Sequence, residues 1–393
     1  MYKTSEPAGK RLWRFLRFEM IYRRLEVNQW KKPREIESSQ ARGLRTLLNH
    51  AYNNCPYYHE MFKSRGLHPS DIRNVTDLCK LPILTKETIR KNFKDLIATN
   101  YPNAKLIPWS TGGSTGEPLR FMHDEIDMMY INANNLRMLK WVGYRRFFDK
   151  NVTLWGFPQE KTVATHKLLG LLPQSLGLSL FGASYKEISN IMYVIRKFKP
   201  TFLKGYSSYL YLLAKYMEKN GINDIHPRFI LSVSEKLYDY QREKIENVFG
   251  CKVFDNYSSR EFSIAQECKE QSGYHIASDI LILEFIRDNE QVSAGELGKI
   301  LVTDLTKFGM PFIRYEIGDL GVPSDETCSC GRGLPLMKSV EGRTTDFVFT
   351  PTGRFISSSA VTLIFRDLNV EGFQVVQETK EKIIVKIVKG LGF

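Results

Sequence analysis

FILSVSEKLYDYQREKIENVFGCKVFDNY, residues 229–257, holds a strand, a helix and a second strand in immediate succession. The apolar run at 229–232 predicts the first strand, and residues 253–257 predict the second. Between them, residues 239–249 have helical periodicity that stops at Gly250, a residue type that commonly ends helices. A strand, a helix and another strand in this order predict a βαβ unit with parallel strands.

The same alternation extends back to residue 151, so we expect an α/β fold built on a parallel sheet. The other predicted strands are 151–155, 179–181 and 201–204, and the other predicted helices are 187–198 and 208–220. Ligands of such sheets bind beyond the carboxyl ends of the strands, where residues 232–235 and 256–261 lie. Trp155, Tyr206 and Ser232 follow or lie near strand ends, where they can line a substrate pocket or simply pack.

The regions on either side differ in character. Residues 1–100 are mostly helical in pattern, and Thr85 is a candidate N-cap for a helix at 87–92. From residue 276 the pattern is β-rich, with strands predicted at 280–286, 298–303 and 312–315. We expect a large domain over 1–342, made of a helical region (1–100), an α/β core (101–275) and a β-rich subdomain (276–342). Residues 343–393, with a predicted helix at 357–366 and hairpin at 373–388, indicate a small and incomplete α+β domain.

Composition and charge limit the classes of protein to which the chain can belong. The 393 residues are 42% hydrophobic and 25% charged, as in ordinary globular proteins. The sequence has neither the ~20-residue apolar run of a membrane span nor the apolar core of a signal peptide, so we expect a cytoplasmic protein. The net charge of +13 is scattered, which favours anionic metabolites over nucleic acid as ligands. Six cysteines favour free thiols or a metal over a disulfide framework.

Residues 10–30, KRLWRFLRFEMIYRRLEVNQW, have helical periodicity and are rich in arginine and aromatic residues. Two interpretations stay open. The helix can dock its aromatic side chains on the body of the protein, or it can make peripheral contact with a membrane.

Residues 109–119 read WSTGGSTGEPL, a glycine- and hydroxyl-rich turn between apolar segments. Glycines allow close approach to a ligand, and successive backbone N–H groups in such a turn form an anion site. The turn lacks the Gly-Lys-Ser/Thr of a Walker A loop. It predicts phosphate binding, with a flexible Gly/Ser loop as the alternative.

Three further patterns each have two interpretations. Glu261, in YSSRE at 257–261, can hold Mg²⁺ or complete a helix capping box begun by Ser258. Asp319, in RYEIGD at 314–319, can accept both hydroxyls of a ribose or belong to a turn. A Cys/His set can form a closed structural zinc site or be four unrelated residues. Its members are Cys268, His275, Cys328 and Cys330.

Four motifs occur in a fixed order: STGGSTGEP (110–118), YSSRE, RYEIGD and GRTTD (342–346). This order resembles that of the AMP-forming acyl-adenylate superfamily. NCPYYHEMF at 54–62 and KLPILTKE at 80–87 resemble one branch, the phenylacetate–CoA ligases, coenzyme F390 synthetases and their capsule-biosynthesis relatives. The resemblance covers nearly the whole chain. It implies an enzyme that activates a carboxylic acid with ATP and passes the acyl group to CoA, or to an amine or hydroxyl acceptor. It also implies a zinc ion at the Cys/His set, as in some members, and a homodimer.

The resemblance also assigns residues. Thr115 and Glu261 would bind Mg²⁺, and Asp319 would bind the ribose, helped by Arg343 at a hinge; Thr115, Glu261 and Arg343 would be catalytic. The phosphate-binding residues would be Ser110, Thr111, Gly112, Gly113, Ser114, Thr115 and Gly116. The residues around the adenine would be Ser234, Glu235, Asn256, Tyr257 and Ser258.

Some positions depart from the family pattern. Gly113 replaces a hydroxyl residue, Glu117 replaces a lysine, and Ser258 replaces a glycine. Relatives also carry a C-terminal Gly-Lys motif that touches the carboxylate during adenylation, whereas Lys389 and Gly390 stand in the reverse order. We therefore expect a shortened chain or weak adenylation, and a degenerate nucleotide-binding protein is the alternative of another class.

Overall fold

The computed structural model describes residues 7–102, 106–111, 118–155, 175–180, 185–343, 347–349, 355–357, 370–379 and 381–389. The helices are α1 (Ala8–Asn28), α2 (Pro33–Asn54), α3 (Pro56–Ser64), α4 (Lys86–Lys91), α5 (Glu125–Trp141), α6 (Tyr185–Phe198), α7 (Ser207–Lys219) and α8 (Asp239–Phe249). Short 3₁₀ turns span Pro69–Asp71 and Val75–Lys80.

Eighteen strands accompany these helices in the described ranges. They are β1 (Leu106–Ser110), β2 (Arg120–Asp124), β3 (Asn151–Trp155), β4 (Ser175–Ser179), β5 (Phe202–Tyr206), β6 (Phe229–Val233), β7 (Val253–Ser258), β8 (Ser263–Glu267), β9 (Tyr274–Ile276), β10 (Leu281–Arg287), β11 (Glu290–Gln291), β12 (Gly298–Asp304), β13 (Tyr315–Pro323), β14 (Leu336–Arg343), β15 (Phe347–Phe349), β16 (Phe355–Ser357), β17 (Val370–Gln377) and β18 (Ile383–Lys389).

One mixed sheet of twelve strands dominates the structure, in the order β11-β10-β12-β13-β14-β9-β8-β7-β6-β5-β3-β4. Strands β4, β3, β5, β6 and β7 pair in parallel, whereas every pair from β7 to β11 is antiparallel. The α/β class with a parallel βαβ sheet is thus confirmed. The β-rich region from residue 276 continues the same sheet.

Local sequence signals predicted several helix ends correctly. Helix α8 has the predicted bounds, and Gly250 caps it in the left-handed region at φ 67°. Thr85 caps α4 by accepting a hydrogen bond from the Thr88 N–H. In α2, Leu44, Leu47, Leu48 and Ala51 have the spacing of one helix face, and all four are fully buried.

Other predicted elements were wrong or cannot be compared. The strand at 312–315 is wrong, because Arg314 adopts φ 52° and breaks the extended backbone; β13 begins only at Tyr315. The strand at 179–181 lies four residues earlier, at Ser175–Ser179. Most of the helix predicted at 357–366 lies outside the described residues.

Within the described residues, the hydrophobic core has three parts. The largest joins the N-terminal helices to the antiparallel half of the sheet and includes Leu25, Phe62 and Phe312. The second packs helices α6, α7 and α8 on one face of the parallel strands. A smaller cluster on these strands holds Phe202, Phe229 and Phe254.

A buried arginine ties three parts of this core together. The Arg137 guanidinium on α5 donates to both Asp279 carboxylate oxygens at 2.9 Å and to the Leu25 carbonyl at 3.0 Å. Its side chain is 0% exposed and that of Asp279 is 2% exposed. The pair therefore fixes α1 and α5 against the segment that precedes β10.

We predict that Arg137→Ala lowers the free energy of unfolding by roughly 3–5 kcal/mol, because it leaves the Asp279 carboxylate buried without its partner. Urea unfolding monitored by circular dichroism measures the change. Arg287→Ala is the matched control, since the Arg287–Glu296 pair is about half exposed and is worth about 0–1 kcal/mol. Equal losses in the two variants would contradict the prediction.

Candidate active site

The parallel strands present their carboxyl ends at one edge of the sheet. Strands β3, β5, β6 and β7 end at Trp155, Tyr206, Val233 and Ser258. Because these strands run in the same direction, the segments that follow β5, β6 and β7 lie at that edge. The candidate site is built from these loops, the β1–β2 hairpin and strand β13.

The glycine-rich turn connects an antiparallel pair of strands. Ser110 at the end of β1 pairs in register with Arg120 on β2. Beyond this pair, the Thr111 hydroxyl accepts a hydrogen bond from the Leu119 N–H at 2.9 Å, and the Thr111 N–H donates to the Leu119 carbonyl at 3.0 Å. These bonds hold the two ends of the turn together. Residues 112–117, including Thr115, lie outside the described residues.

Tyr257 and Asp319 meet across the site although they are 62 positions apart. The Tyr257 hydroxyl donates to the Asp319 carboxylate at 2.9 Å. Asp319 lies within β13, in register with Arg343 on β14, so its interpretation as a turn residue is wrong. The motifs at 257–261 and 314–319 are thus adjacent in space.

Glu261 lies in the turn between β7 and β8, and no helix begins there, so the capping-box interpretation is wrong. Its side chain is buried, and one carboxylate oxygen accepts a hydrogen bond from the Tyr315 hydroxyl at 3.2 Å. This contact joins the same two motifs at a second point.

The residues expected around the adenine are mostly held by their neighbours. Ser234 adopts φ 71° after β6. The Glu235 carboxylate accepts from the Ser208 N–H at 3.0 Å, at the start of α7, where the helix dipole favours a negative charge. Asn256 donates to Gln266 at 3.0 Å and accepts from the Ser258 hydroxyl at 2.8 Å.

The three candidate pocket residues differ in their surroundings. Tyr206, at the end of β5, stacks on Tyr209 with ring centroids 5.6 Å apart. Trp155 ends β3 and is half-buried. Ser232 is fully buried inside β6, in register with Asp255 on β7.

A buried charge cluster lies directly behind the glycine hairpin. Lys307 Nζ donates to Asp127 Oδ2 at 2.6 Å, and it lies 2.8 Å from Nδ1 of His123. His123 Nδ1 also contacts Asp127, and all three side chains are at most 1% exposed. Burial alone raises the pKa of Asp127, but Lys307 and His123 outweigh it and hold that pKa below its usual value.

His123 connects this cluster to the site. Its Nε2 lies 3.1 Å from the carbonyl oxygen of Arg260, which can only accept a hydrogen bond, so Nε2 carries the proton. His123 belongs to β2, and Arg260 immediately precedes Glu261. The cluster therefore fixes the hairpin that bears the glycine turn against the turn that bears the Glu261 carboxylate.

The Cys/His set predicted from the sequence comes together in space. The ligand atoms of Cys268, His275, Cys328 and Cys330 all lie within 4.8 Å of one another. The Cys268 and Cys328 sulfurs are 3.7 Å apart, and the Cys330 sulfur is 3.3 Å from His275 Nε2. Burial lowers the pKa of His275 to about 4, so its imidazole is neutral at neutral pH and can act as a ligand.

Comparisons with known proteins show what the chain is similar to. No known family model matches the chain. Protein CapK of Staphylococcus aureus is 25% identical over 92% of this chain and 80% of its own length. The phenylacetate–coenzyme A ligase of Escherichia coli K12 is 28% identical over 80% of this chain and 72% of its own length.

Two solved structures are similar to this chain in fold. 2-Hydroxyisobutyryl-CoA ligase, in its postadenylation state with R3-HIB-AMP, superposes with a TM-score of 0.77 at 19% identity, over 93% of this chain and 80% of that ligase. The anthranilate CoA ligase AuaEII, in complex with anthranoyl-AMP, gives a TM-score of 0.52 at 16% identity, over 82% of this chain and 66% of that ligase. The chain is a homologue of phenylacetate–CoA ligases and CapK with the fold of AMP-forming acyl-CoA ligases.

The sequence patterns indicate only part of the candidate site. They assign no individual role to His123, Asp127, Lys307 or Tyr315. Lys307 is 180 residues from Asp127 and 184 from His123, so no local spacing connects them. The available signal was the period-two spacing of Phe121 and His123 in β2, which puts both side chains on the same, buried face. Within the described ranges, no helix is long and apolar enough to cross a membrane.

Asp304 provides a pH test of the charge cluster. Burial, together with the nearby Asp127 charge, raises the pKa of Asp304 to about 7. In the unfolded chain its pKa is about 3.9. The native state therefore holds this proton more tightly, and the stability it contributes is present below pH ~4 and lost as the pH rises through ~7.

We predict that Asp304→Asn raises the free energy of unfolding relative to wild type by roughly 2–4 kcal/mol at pH 8, with no gain below pH ~4. Asparagine keeps the oxygen that accepts from Thr306. Denaturant unfolding across pH 4–8 measures the difference, with the exposed Asp224→Asn as control. A difference that does not change with pH would contradict the pKa shift.

Proposed function

We propose that this protein activates a carboxylic acid with Mg·ATP as an acyl-adenylate and then transfers the acyl group to coenzyme A. The observation that carries the proposal is the convergence of three separated motifs at one sheet edge. Tyr257 contacts Asp319, Glu261 contacts Tyr315, and His123 joins the glycine hairpin to Arg260. The homologous phenylacetate–CoA ligases support the same reaction class.

In the first step, an oxygen of the substrate carboxylate attacks the α-phosphorus of ATP. The bond from that phosphorus to the bridging oxygen breaks, and pyrophosphate leaves. No general base is needed, because the carboxylate is already ionised at neutral pH. Catalysis therefore depends on positioning and on stabilising negative charge on the phosphate oxygens.

The residues have the following proposed roles. The turn from Ser110 to Gly116 binds the phosphates through its N–H groups and hydroxyls. Asp319 accepts the ribose hydroxyls, and Tyr257 lies beside the base. Ser234, Glu235, Asn256 and Ser258 shape the adenine site, and Arg343 marks the hinge. The acyl group lies near Trp155 and Tyr206.

Glu261 and Thr115 would hold Mg²⁺. A buried carboxylate with an aromatic hydroxyl as its neighbour is a hard oxygen ligand of the type that Mg²⁺ takes along with substrate phosphates. The ion would neutralise phosphate charge. Glu261 is held for this role by Tyr315 on one side and by the His123–Arg260 contact on the other.

In the second step, the thiolate of coenzyme A attacks the acyl carbon, a thioester forms, and AMP leaves. An amine or hydroxyl acceptor would give an amide or ester from the same adenylate. The similarity to CapK covers 92% of the chain and that to the phenylacetate–CoA ligases 72–80%, so acceptors other than coenzyme A belong in the test. Supplying coenzyme A, amines and alcohols to a preformed adenylate distinguishes the acceptors.

We predict that Asp319→Ala and Glu261→Ala each reduce carboxylate-dependent ATP–pyrophosphate exchange by at least about a hundred-fold, since each removes a charged contact to the nucleotide or its ion. Asp319→Ala should act mainly by raising KM for ATP, whereas Glu261→Ala should act mainly on kcat. Exchange of labelled pyrophosphate across a panel of carboxylic acids measures both.

Glu316→Ala is the control for this prediction. Glu316 lies on the same strand as Asp319 and pairs with Lys299. Its loss should change exchange less than about two-fold. If wild type binds ATP but catalyses no exchange with any acid, the protein is a nucleotide-binding protein and the enzymatic proposal fails.

We further propose a structural zinc ion at the Cys/His set. Two thiolates on one tetrahedral zinc, with Zn–S bonds of about 2.3 Å, lie about 3.8 Å apart, and the Cys268 and Cys328 sulfurs are 3.7 Å apart. His275 Nδ1 faces the Leu334 carbonyl at 3.4 Å, which orients the ring so that Nε2 faces the set. Four protein ligands leave no open position, so the ion would crosslink β8, β9 and the segment before β14.

The purified protein should contain about one equivalent of zinc. Cys268→Ser and Cys328→Ser should lose the metal and lower the melting temperature, because metal binding contributes folding free energy. Cys79→Ser, at an exposed cysteine outside the set, should do neither. Elemental analysis and thermal unfolding test this, and a metal-free wild type that is equally stable would overturn it.

A further inference from the structure

Helix α1 has two apolar faces, and the body of the protein covers only one. Ile21 and Leu25 are buried in the main core, and Phe18 and Tyr22 pack against it. These positions follow the spacing of a single helix face. The docking interpretation of this helix is therefore correct for that face.

The opposite face exposes a second apolar stripe to solvent. Leu12, Leu16, Met20 and Val27 are 57–64% exposed, and Trp13 is 46% exposed. At 100° per residue these five side chains fall within an arc of about 100°, directly opposite the packed face. Single exposed apolar residues are normal, but a continuous stripe along a helix marks an interaction surface.

Helix α1 carries a net positive charge. The helix contains six basic residues and two acidic ones, Glu19 and Glu26. Both acidic side chains pair with bases from the body, Glu19 with Arg146 and Glu26 with Lys140. Arg17, Arg23 and Arg24 are exposed. At 100° per residue, Arg17 and Arg24 lie along one edge of the stripe, and Arg23 lies within its arc. The exposed face of α1 is thus largely apolar and carries positive charge within the stripe and along one edge.

The neighbouring segment extends this surface. Phe147 and Phe148 are 51% and 76% exposed. Arg146 beside them lies over the rings of Phe18 and Tyr22 and pairs with Glu19, so the segment adjoins α1. It adds two exposed aromatic side chains next to α1.

We propose that α1 and residues 146–148 form a docking surface for an anionic lipid membrane, with α1 lying in the plane of the interface. An apolar stripe that contains Trp13, has Phe147 and Phe148 nearby and carries exposed arginines within it and along one edge matches the boundary between acyl chains and anionic headgroups. A second copy of the chain is a poorer occupant, because a two-fold contact would bring the same arginines together. This proposal is independent of the reaction proposed above.

The test is co-sedimentation of the full chain with phosphatidylcholine vesicles with and without phosphatidylglycerol. Wild type should bind the anionic vesicles roughly ten-fold more tightly than the neutral ones, and high salt should reduce the difference. Leu16→Glu/Met20→Glu should reduce binding to both vesicle types by roughly ten-fold or more. Arg23→Glu/Arg24→Glu should reduce binding to the anionic vesicles only.

Leu212→Glu is the matched control, since Leu212 is 37% exposed on α7, and it should bind as wild type does. Thermal unfolding verifies that each variant is folded. Absence of wild-type binding, or equal binding by the Leu16/Met20 variant, overturns the proposal. If light scattering shows instead that this variant dissociates a dimer and vesicles bind neither form, the occupant is a second copy and the proposal is also overturned.

Discussion

The buried contact of Lys307 with Asp127 and His123 is the interaction on which the site depends. It places a full charge pair behind the glycine hairpin, where water is excluded and an unpaired charge would be costly. The pair is tolerated because Asp127 Oδ2 contacts both Lys307 and His123, and the rings of Phe121 and Phe312 lie against the ammonium. Removing one partner would therefore disturb both the hairpin and the loop that carries Lys307.

This cluster explains how motifs far apart in sequence act together. The hairpin and the β7–β8 turn belong to different parts of the fold, and His123 joins them through one carbonyl. From that turn, hydrogen bonds lead to β13 through Tyr315 and through the Tyr257–Asp319 contact. The site is held by the meeting of the parallel and antiparallel halves of one sheet, so its geometry depends on their relative placement.

Local signals in the sequence determined how well each part could be predicted. Helix α8 was predicted to the residue because apolar periodicity and Gly250 act within a few positions. The start of β13 was missed because the left-handed backbone of Arg314 is stabilised by a partner far away, its ion pair with Glu284. The Lys307 cluster was missed for the same reason. The ordered motifs predicted the candidate ligand-binding segments, but not the residues that fix them in place.

The hydrogen bonds between Thr111 and Leu119 have a consequence for how the glycine turn can change. They close the hairpin before the turn begins, and Leu119 is buried in the main core. The two ends of the turn are therefore held at a fixed separation by the hairpin itself. A variant library confined to the intervening positions, which include Gly113 and Glu117, would start from constant end points.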